Sequence, residues 1–385
     1  MKYDFDTVVD RRNTCSLKWD YCENEVLPMW VADMDFESPK EIVDALTERA
    51  AHGVFGYTRP PDSYYQAVVD WMKERHGWEI RKDWIVTTPG VLPALCYAVS
   101  AFSKPRDKVI IQSPVYHPFQ MIIERNRRRT IENTMRLANG RYEMDYEHLQ
   151  KIVDEKTKLL ILCSPHNPVG RVWKKDELLR LARICIEHGV LIIADEIHSD
   201  IIMKGHTHTP MATLSDEIAD NVITCTAASK TFNLAGLSCS NIIISNGRLY
   251  NRFKAAVSNN WVETPNMFGM IATQTGYTFG KPWLEQLLDY LNGNYDFLVS
   301  FLKKHLPPVK PLLLEGTYLV WLDFRGLDLP DMQIKDILLK KAGVWLDYGP
   351  QFGTGGEGFQ RMNIACPRKV LEDGLSRIAR TFNAL

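Results

Sequence analysis

Short apolar runs that alternate with helical patterns constrain the fold of this chain more than any other feature of its sequence. Four mostly apolar runs are Leu159–Cys163, Val190–Ala194, Val222–Cys225 and Ile242–Ile244, and earlier strands are predicted at Trp84–Thr87 and Lys108–Gln112. Continuous apolar runs indicate strands that are covered on both faces. Because helical patterns separate them, as at 175–188, the sequence predicts an α/β fold built around a mostly parallel sheet.

The length of the chain predicts two units. A single core stops growing at roughly 250–300 residues, and this chain has 385. We expect a large sheet domain at 45–280, and a smaller α+β domain in which residues 1–44 join residues 281–385.

Charge and cysteine content exclude several classes of protein. The net charge of −1 argues against nucleic acid as a partner, and no run of about 18 apolar residues suggests a membrane span. The eight cysteines are scattered without a CxxC pair, and His206 and His208 have no further ligand nearby in the sequence. We therefore expect a cytoplasmic protein without disulfides, a metal site or an apolar leader.

Ligands of open parallel sheets bind at the carboxyl ends of the strands, so the residues that follow each strand are candidates. Gly90 and Val91 open a helix, where free N–H groups attract phosphate. Tyr116 follows the next strand and could stack on a flat ring. Asn167 follows the third. Taken singly, each has an ordinary alternative: a turn glycine, a core tyrosine and a turn-forming asparagine.

Charged residues follow the next two strands. Asp195 ends a buried strand, where a carboxylate is costly unless it is paired; the alternative is a helix N-cap. His198 follows shortly after Asp195 in the sequence. Taken alone, a histidine at such a position is more often a hydrogen-bonded structural residue than a functional one. Ser229 and Lys230 lie among small residues just past a strand. Such a lysine suits a Schiff base with a carbonyl cofactor, although a lone lysine is usually solvated. Together, these residues predict pyridoxal phosphate at one edge of the sheet.

The order Gly90, Tyr116, Asn167-Pro168, Asp195, Ser229-Lys230 resembles the pyridoxal-phosphate enzymes of the class I/II aminotransferase superfamily over essentially the whole chain. Three strings, WVADMDF (30–36), EGTYLVWLDFR (315–325) and GPQFGTGGEGFQRMNIACPR (349–368), resemble its cystathionine β-lyase (C–S lyase) branch, the MalY/PatB type. The resemblance implies an aspartate-aminotransferase-like fold.

The resemblance also implies a role for each candidate. Lys230 would form the Schiff base, Asp195 would pair with the pyridine nitrogen, and Tyr116 would stack on the ring. Asn167 would contact the phenolic oxygen of the ring, with His198 placed for its second contact.

The remaining roles concern the phosphate and the substrate. Gly90, Val91 and Ser229 would bind the phosphate, joined by Tyr57 of a neighbouring subunit, so the resemblance implies a homodimer with shared active sites. Arg361 and Asn167 would bind the substrate, with Arg361 holding its α-carboxylate. Many relatives carry arginine eight residues after the lysine, where this chain has Ser238, which puts the neutralisation of the phosphate in doubt.

The implied activity is β-elimination from cystathionine or a similar cysteine derivative, giving a thiol such as homocysteine, pyruvate and ammonia. Lys230 would take the Cα proton, and either Tyr57 or Tyr116 would protonate the leaving sulfur. An aminotransferase would use the same lysine, aspartate and arginine. A regulatory protein that binds pyridoxal phosphate is a third alternative, which would not need all three.

Overall fold

The computed structural model describes residues 2–23, 25–262 and 264–385. Its strands are β1 (Leu27–Pro28), β2 (Ile85–Thr88), β3 (Lys108–Ile111), β4 (Arg129–Glu132), β5 (Arg136–Ala138), β6 (Arg141–Glu143), β7 (Thr157–Cys163), β8 (Leu191–Asp195), β9 (Val222–Thr226), β10 (Ser240–Ile243), β11 (Lys310–Pro311), β12 (Leu319–Asp323), β13 (Val344–Trp345), β14 (Asp347–Tyr348) and β15 (Phe359–Asn363).

Its α-helices are α1 (Lys40–Ala51), α2 (Asp62–His76), α3 (Val91–Phe102), α4 (Pro118–Arg125), α5 (Tyr146–Ile152), α6 (Lys175–Glu187), α7 (Asp216–Ala219), α8 (Ala228–Thr231), α9 (Gly247–Ser258), α10 (Met267–Phe279), α11 (Lys281–His305), α12 (Asp331–Asp336) and α13 (Arg368–Asn383). A π-helical turn at Ile337–Lys341 continues α12. Across the described residues, no helix combines the length and the apolar character that crossing a membrane requires.

A seven-stranded sheet runs in the order β2-β10-β9-β8-β7-β3-β4. Neighbouring strands from β9 to β4 pair in parallel, whereas β10 is antiparallel to both β2 and β9. Strands β8, β9 and β10 are buried along their whole length, as continuous apolar runs require. The predicted α/β fold with a mostly parallel sheet is confirmed.

A second sheet, antiparallel throughout, runs in the order β11-β12-β15-β14. The long helix α11 packs against β11 and α13. The domain boundary predicted at residue 45 falls inside α1, and that at residue 280 falls between α10 and α11. The division into two domains itself stays a prediction.

The sequence patterns do not predict β4, the β5–β6 hairpin, α5 or α10. Strand β4 is partly exposed at the sheet edge and reads Arg-Thr-Ile-Glu, so it has no continuous apolar run. Helix α10 contains glycines, which lower helix propensity. Tertiary packing requires them: a Cβ at Gly269 would lie 2.3 Å from the Leu237 oxygen, and one at Gly276 would lie 2.7 Å from the Phe232 ring.

Candidate active site

The carboxyl ends of β7, β8 and β9 meet at a cavity of about 250 Å³. Eight of the predicted residues line it: Gly90, Val91, Tyr116, Asn167, Asp195, His198, Ser229 and Lys230. Arg361 contacts the cavity wall through Asn167, whereas Tyr57 lies elsewhere on the surface. Residues from five separate connections therefore converge, because parallel strands bring their carboxyl ends to one edge.

Lys230 lies on α8, one turn beyond the end of β9. Its Nζ donates a hydrogen bond of 2.6 Å to the main-chain oxygen of Ala32. Burial lowers the pKa of the Lys230 amine from 10.5 to about 8; the nearby Arg361 adds to this, and the carboxylates of Asp33 and Asp195 oppose it. About a tenth of such an amine is neutral at pH 7, the form that attacks a carbonyl group.

Asp195 is the last residue of β8 and is 5% exposed. Its Oδ1 accepts a hydrogen bond of 3.1 Å from the N–H of Ile197, which forms a turn and does not cap a helix. Burial raises the pKa of the Asp195 carboxyl to about 7, against the effects of this bond and of Lys230. Since no described residue forms an ion pair with it, Asp195 suits a cationic partner such as a protonated ring nitrogen.

His198 lies beside Asp195 and is 4% exposed. Its Nδ1 has no hydrogen-bond partner within the described chain. Burial lowers the pKa of this imidazole well below 6.5, and the positive charges of Lys230 and Arg361 lower it further. His198 is therefore neutral and keeps a hydrogen-bonding position for a ligand.

One end of the cavity suits an anion. Gly90 has a φ of +116° and directly precedes α3, whose first N–H groups have no partner within the helix. Ser229 and Ser238 line the same cavity. Lys230 is the one cationic side chain among the described lining residues, so helix N–H groups and hydroxyls, rather than an arginine, would meet a phosphate here.

Arg361 lies on β15 and is 4% exposed. Its Nη1 donates to Asn167 Oδ1 at 2.8 Å, and its Nη2 donates to the Trp30 oxygen at 2.8 Å. Nη2 also forms an ion pair with Asp347. These contacts fix the guanidinium beside the cavity.

The two tyrosines differ in position. Tyr116 lines the cavity, and burial raises the pKa of its phenol. Tyr57 is fully exposed in a segment that has neither helix nor strand. This chain alone therefore brings Tyr116 to the site, and Tyr57 does not reach it.

Four residues that support Lys230 or Arg361 directly or through the segment around Ala32 were not predicted: Ala32, Tyr318, Asp347 and Asn363. The Ala32 oxygen accepts from Lys230 and, at 2.9 Å, from the Tyr318 hydroxyl. Asn363 Nδ2 donates at 2.6 Å to the main-chain oxygens on either side of Ala32. Ala32, Tyr318 and Asn363 lie inside the strings 30–36, 315–325 and 349–368. The distinctive sequence of these strings was the signal that could have identified the three residues.

Comparison with known proteins places these features in a wider group. The family model "Aminotransferase class I and II" matches residues 24–378. Cystathionine beta-lyase PatB of Bacillus subtilis is 44% identical over 380 residues, covering 97% of this chain and 98% of PatB. Protein MalY of Escherichia coli is 31% identical, and each chain is covered completely. Among solved structures, cystalysin from Treponema denticola, which contains pyridoxal 5'-phosphate, superposes with a TM-score of 0.97 at 40% identity, with complete coverage of both chains.

Proposed function

The chain belongs to the aminotransferase class I and II family, and from this premise we propose that it is a pyridoxal-phosphate-dependent C–S lyase. Its substrates would be cystathionine and related cysteine derivatives, and its products a thiol, pyruvate and ammonia. The observation that carries the proposal is one cavity that combines Lys230, whose pKa is about 8, with Asp195, a buried carboxylate without an ion-pair partner among the described residues. The name of PatB, a cystathionine beta-lyase, supports this choice of substrate.

The residues present fit the cofactor. Lys230 would hold its aldehyde carbon, and Asp195 its ring nitrogen. The unpartnered Nδ1 of His198 and the amide of Asn167 would contact the ring oxygen. Gly90, with the start of α3, would hold the phosphate. Pyridoxal phosphate, when bound, supplies an aldehyde that condenses with amines and a ring that accepts the electron pair left at Cα.

Within this frame, each side chain has a defined task. Arg361 binds the substrate α-carboxylate and so orients the Cα–H bond. The Lys230 amine would take the Cα proton. Asp195 would pair with the protonated ring nitrogen. The sulfur leaves Cβ as a thiolate, and Tyr116, which keeps its phenolic proton at neutral pH, can supply a proton to it. Water then completes the release of pyruvate and ammonia.

The test compares the purified protein with Lys230→Ala. The wild-type protein should show a visible absorption band that L-cystathionine shifts, and it should release pyruvate and homocysteine. Lys230→Ala should lower pyruvate release by at least about a hundredfold, since it loses the proton-transfer group. Lys254→Ala, at an exposed lysine outside the cavity, serves as the matched control.

Two outcomes would contradict the proposal. Pyruvate release by Lys230→Ala at nearly the wild-type rate would remove the lysine from the mechanism. Amino-group transfer from the substrate to 2-oxoglutarate, without pyruvate or free thiol, would make the chain an aminotransferase.

We also propose that the chain acts as a homodimer in the cytoplasm, with the amino-acid substrate and a second copy of itself as its partners. Tyr57 is fully exposed, and Val54, Phe55 and Trp261 are 63%, 59% and 91% exposed, which suits a contact surface. In the dimer, Tyr57 would reach the phosphate of the other subunit. Mixing the Tyr57→Phe and Lys230→Ala variants tests this. If the sites are shared, one site of the hybrid dimer combines an intact Lys230 from one chain with an intact Tyr57 from the other, and activity returns. An active monomer in dilute solution would contradict it.

A further inference from the structure

Arg361 and Asp347 form an ion pair that the implied reaction does not explain. They lie directly opposite each other on the neighbouring strands β15 and β14, at 4% and 8% exposure. The other oxygen of Asp347 accepts a hydrogen bond of 2.9 Å from Gln351 Nε2. The carboxylate is therefore held in place against the guanidinium.

The donors of Arg361 are almost fully assigned. An arginine side chain has five N–H groups. Both hydrogens of Nη2 are engaged, one by the Trp30 oxygen and the other by Asp347. One hydrogen of Nη1 bonds to Asn167. Nε has no partner in the described chain. The free donors are thus the Nε hydrogen and one Nη1 hydrogen, which point to different sides of the guanidinium.

A carboxylate that binds arginine through both oxygens needs two parallel N–H groups on one edge. The guanidinium has two such edges: one is formed by Nη1 and Nη2, and the other by Nε and Nη2. Binding at either edge therefore needs a free Nη2 hydrogen. The Trp30 oxygen belongs to a main-chain segment that Asn363 fixes through two hydrogen bonds. Asp347 is a side chain, so Asp347 is the group that can release Nη2.

We propose that Asp347 is a positioning residue that occupies Arg361 in the absence of substrate and competes with the substrate α-carboxylate for it. This inference rests on the proposed function of Arg361. The pair keeps the buried guanidinium neutralised and oriented. It also weakens carboxylate binding, because the incoming charge must displace one that is already there. Asp347 thereby sets the affinity for substrate without touching the reacting atoms.

The test measures carboxylate binding apart from catalysis. The probe is 3-(methylsulfanyl)propanoate, which is S-methylcysteine without its α-amino group, and it is titrated by calorimetry into the cofactor-loaded protein. Asp347→Asn keeps an oxygen acceptor for Arg361 but removes the charge. It should bind the probe about tenfold more tightly, the lower end of what a neighbouring charge does to an ionic equilibrium. With cystathionine, KM should fall by a similar factor while kcat stays unchanged.

Two controls separate charge from structure. The uncharged amide of the probe should bind Asp347→Asn and the wild type equally. Asp323→Asn removes a carboxylate from β12 of the same sheet, where Asp323 pairs with Arg325 at 2.7 Å, and it should leave the affinity for the probe unchanged.

Unchanged or weaker probe binding by a folded Asp347→Asn would overturn the proposal. If that variant does not fold, Asp347→Ser, which is also uncharged, takes its place. If neither folds, Asp347 is a structural partner of Arg361, and the proposal is also overturned. Arg361→Lys separates this proposal from the proposed role of Arg361. If Arg361→Lys binds the probe as tightly as the wild type, Arg361 does not hold the carboxylate, and the proposed role of Arg361 fails instead.

Discussion

Replacing Lys230 by methionine should stabilise the cofactor-free chain at neutral pH. The Lys230 amine has one hydrogen-bond partner, the Ala32 oxygen at 2.6 Å, and no described carboxylate lies within ion-pair distance of it. Burial lowers its pKa from 10.5 to about 8, so at pH 7 the folded chain holds a charge that its surroundings disfavour. Methionine has a similar length and carries no charge, so it removes this cost.

The size of the effect follows from the pKa. Each pKa unit corresponds to about 1.4 kcal/mol, and a fall from 10.5 to about 8 sets an upper limit of roughly 3.5 kcal/mol. Because Lys230 is only half-buried by surface area and faces the cavity, solvent screening reduces this to about 2 kcal/mol. The folded pKa lies below the unfolded one, so the unfolded chain binds more protons between pH 8 and 10.5. The stability of the wild type relative to the variant therefore rises through this window, and the full cost is present below pH 8.

Urea unfolding of both cofactor-free proteins, followed by tryptophan fluorescence at equal protein concentration, measures the difference. Lys230→Met should be more stable by about 2 kcal/mol at pH 7, and this advantage should shrink as the pH approaches 10.5. Lys254→Met, at an exposed lysine, should show no such pH dependence. An advantage that stays constant from pH 7 to 10.5 would refute the reasoning, since the burial of a charged amine would then not be its cause.

Three further substitutions test the supports of the site. Asn363→Ala removes two hydrogen bonds to the segment 29–36; we expect a loss of about 2–4 kcal/mol in urea unfolding and weaker cofactor retention on dialysis. Gly349→Ala places a Cβ 2.2 Å from two main-chain oxygens, so pyruvate release should fall at least about tenfold because the loop before Arg361 must move. Asp200→Asn weakens the buried pair with His76 and should cost about 2–4 kcal/mol at pH 7. Since hydrogen bonding to His76 helps hold the Asp200 pKa below 3.8, the wild type loses this advantage as the pH falls through that pKa, and the two unfolding curves should converge in acid.

The fold was predictable where the signal is local. Runs such as Leu159–Cys163 identify strands by themselves, and the residue types that follow them identify candidates for a site. The antiparallel direction of β10 and the edge strand β4 were not predictable in this way. Strand direction depends on pairing with distant strands, and an edge strand needs no continuous apolar run.

The sequence by itself determined the α/β fold and the set of side chains at the carboxyl ends of the strands, because parallel strands bring their following residues to one edge. Lys230 and Asp195 were identifiable on that ground. Only the tertiary structure decided how they are held. The acceptor for Lys230 is a main-chain oxygen of Ala32, and main-chain oxygens have no signature in a sequence. The partner of Arg361 is Asp347, and their pairing depends on the register of two strands, which no local pattern specifies.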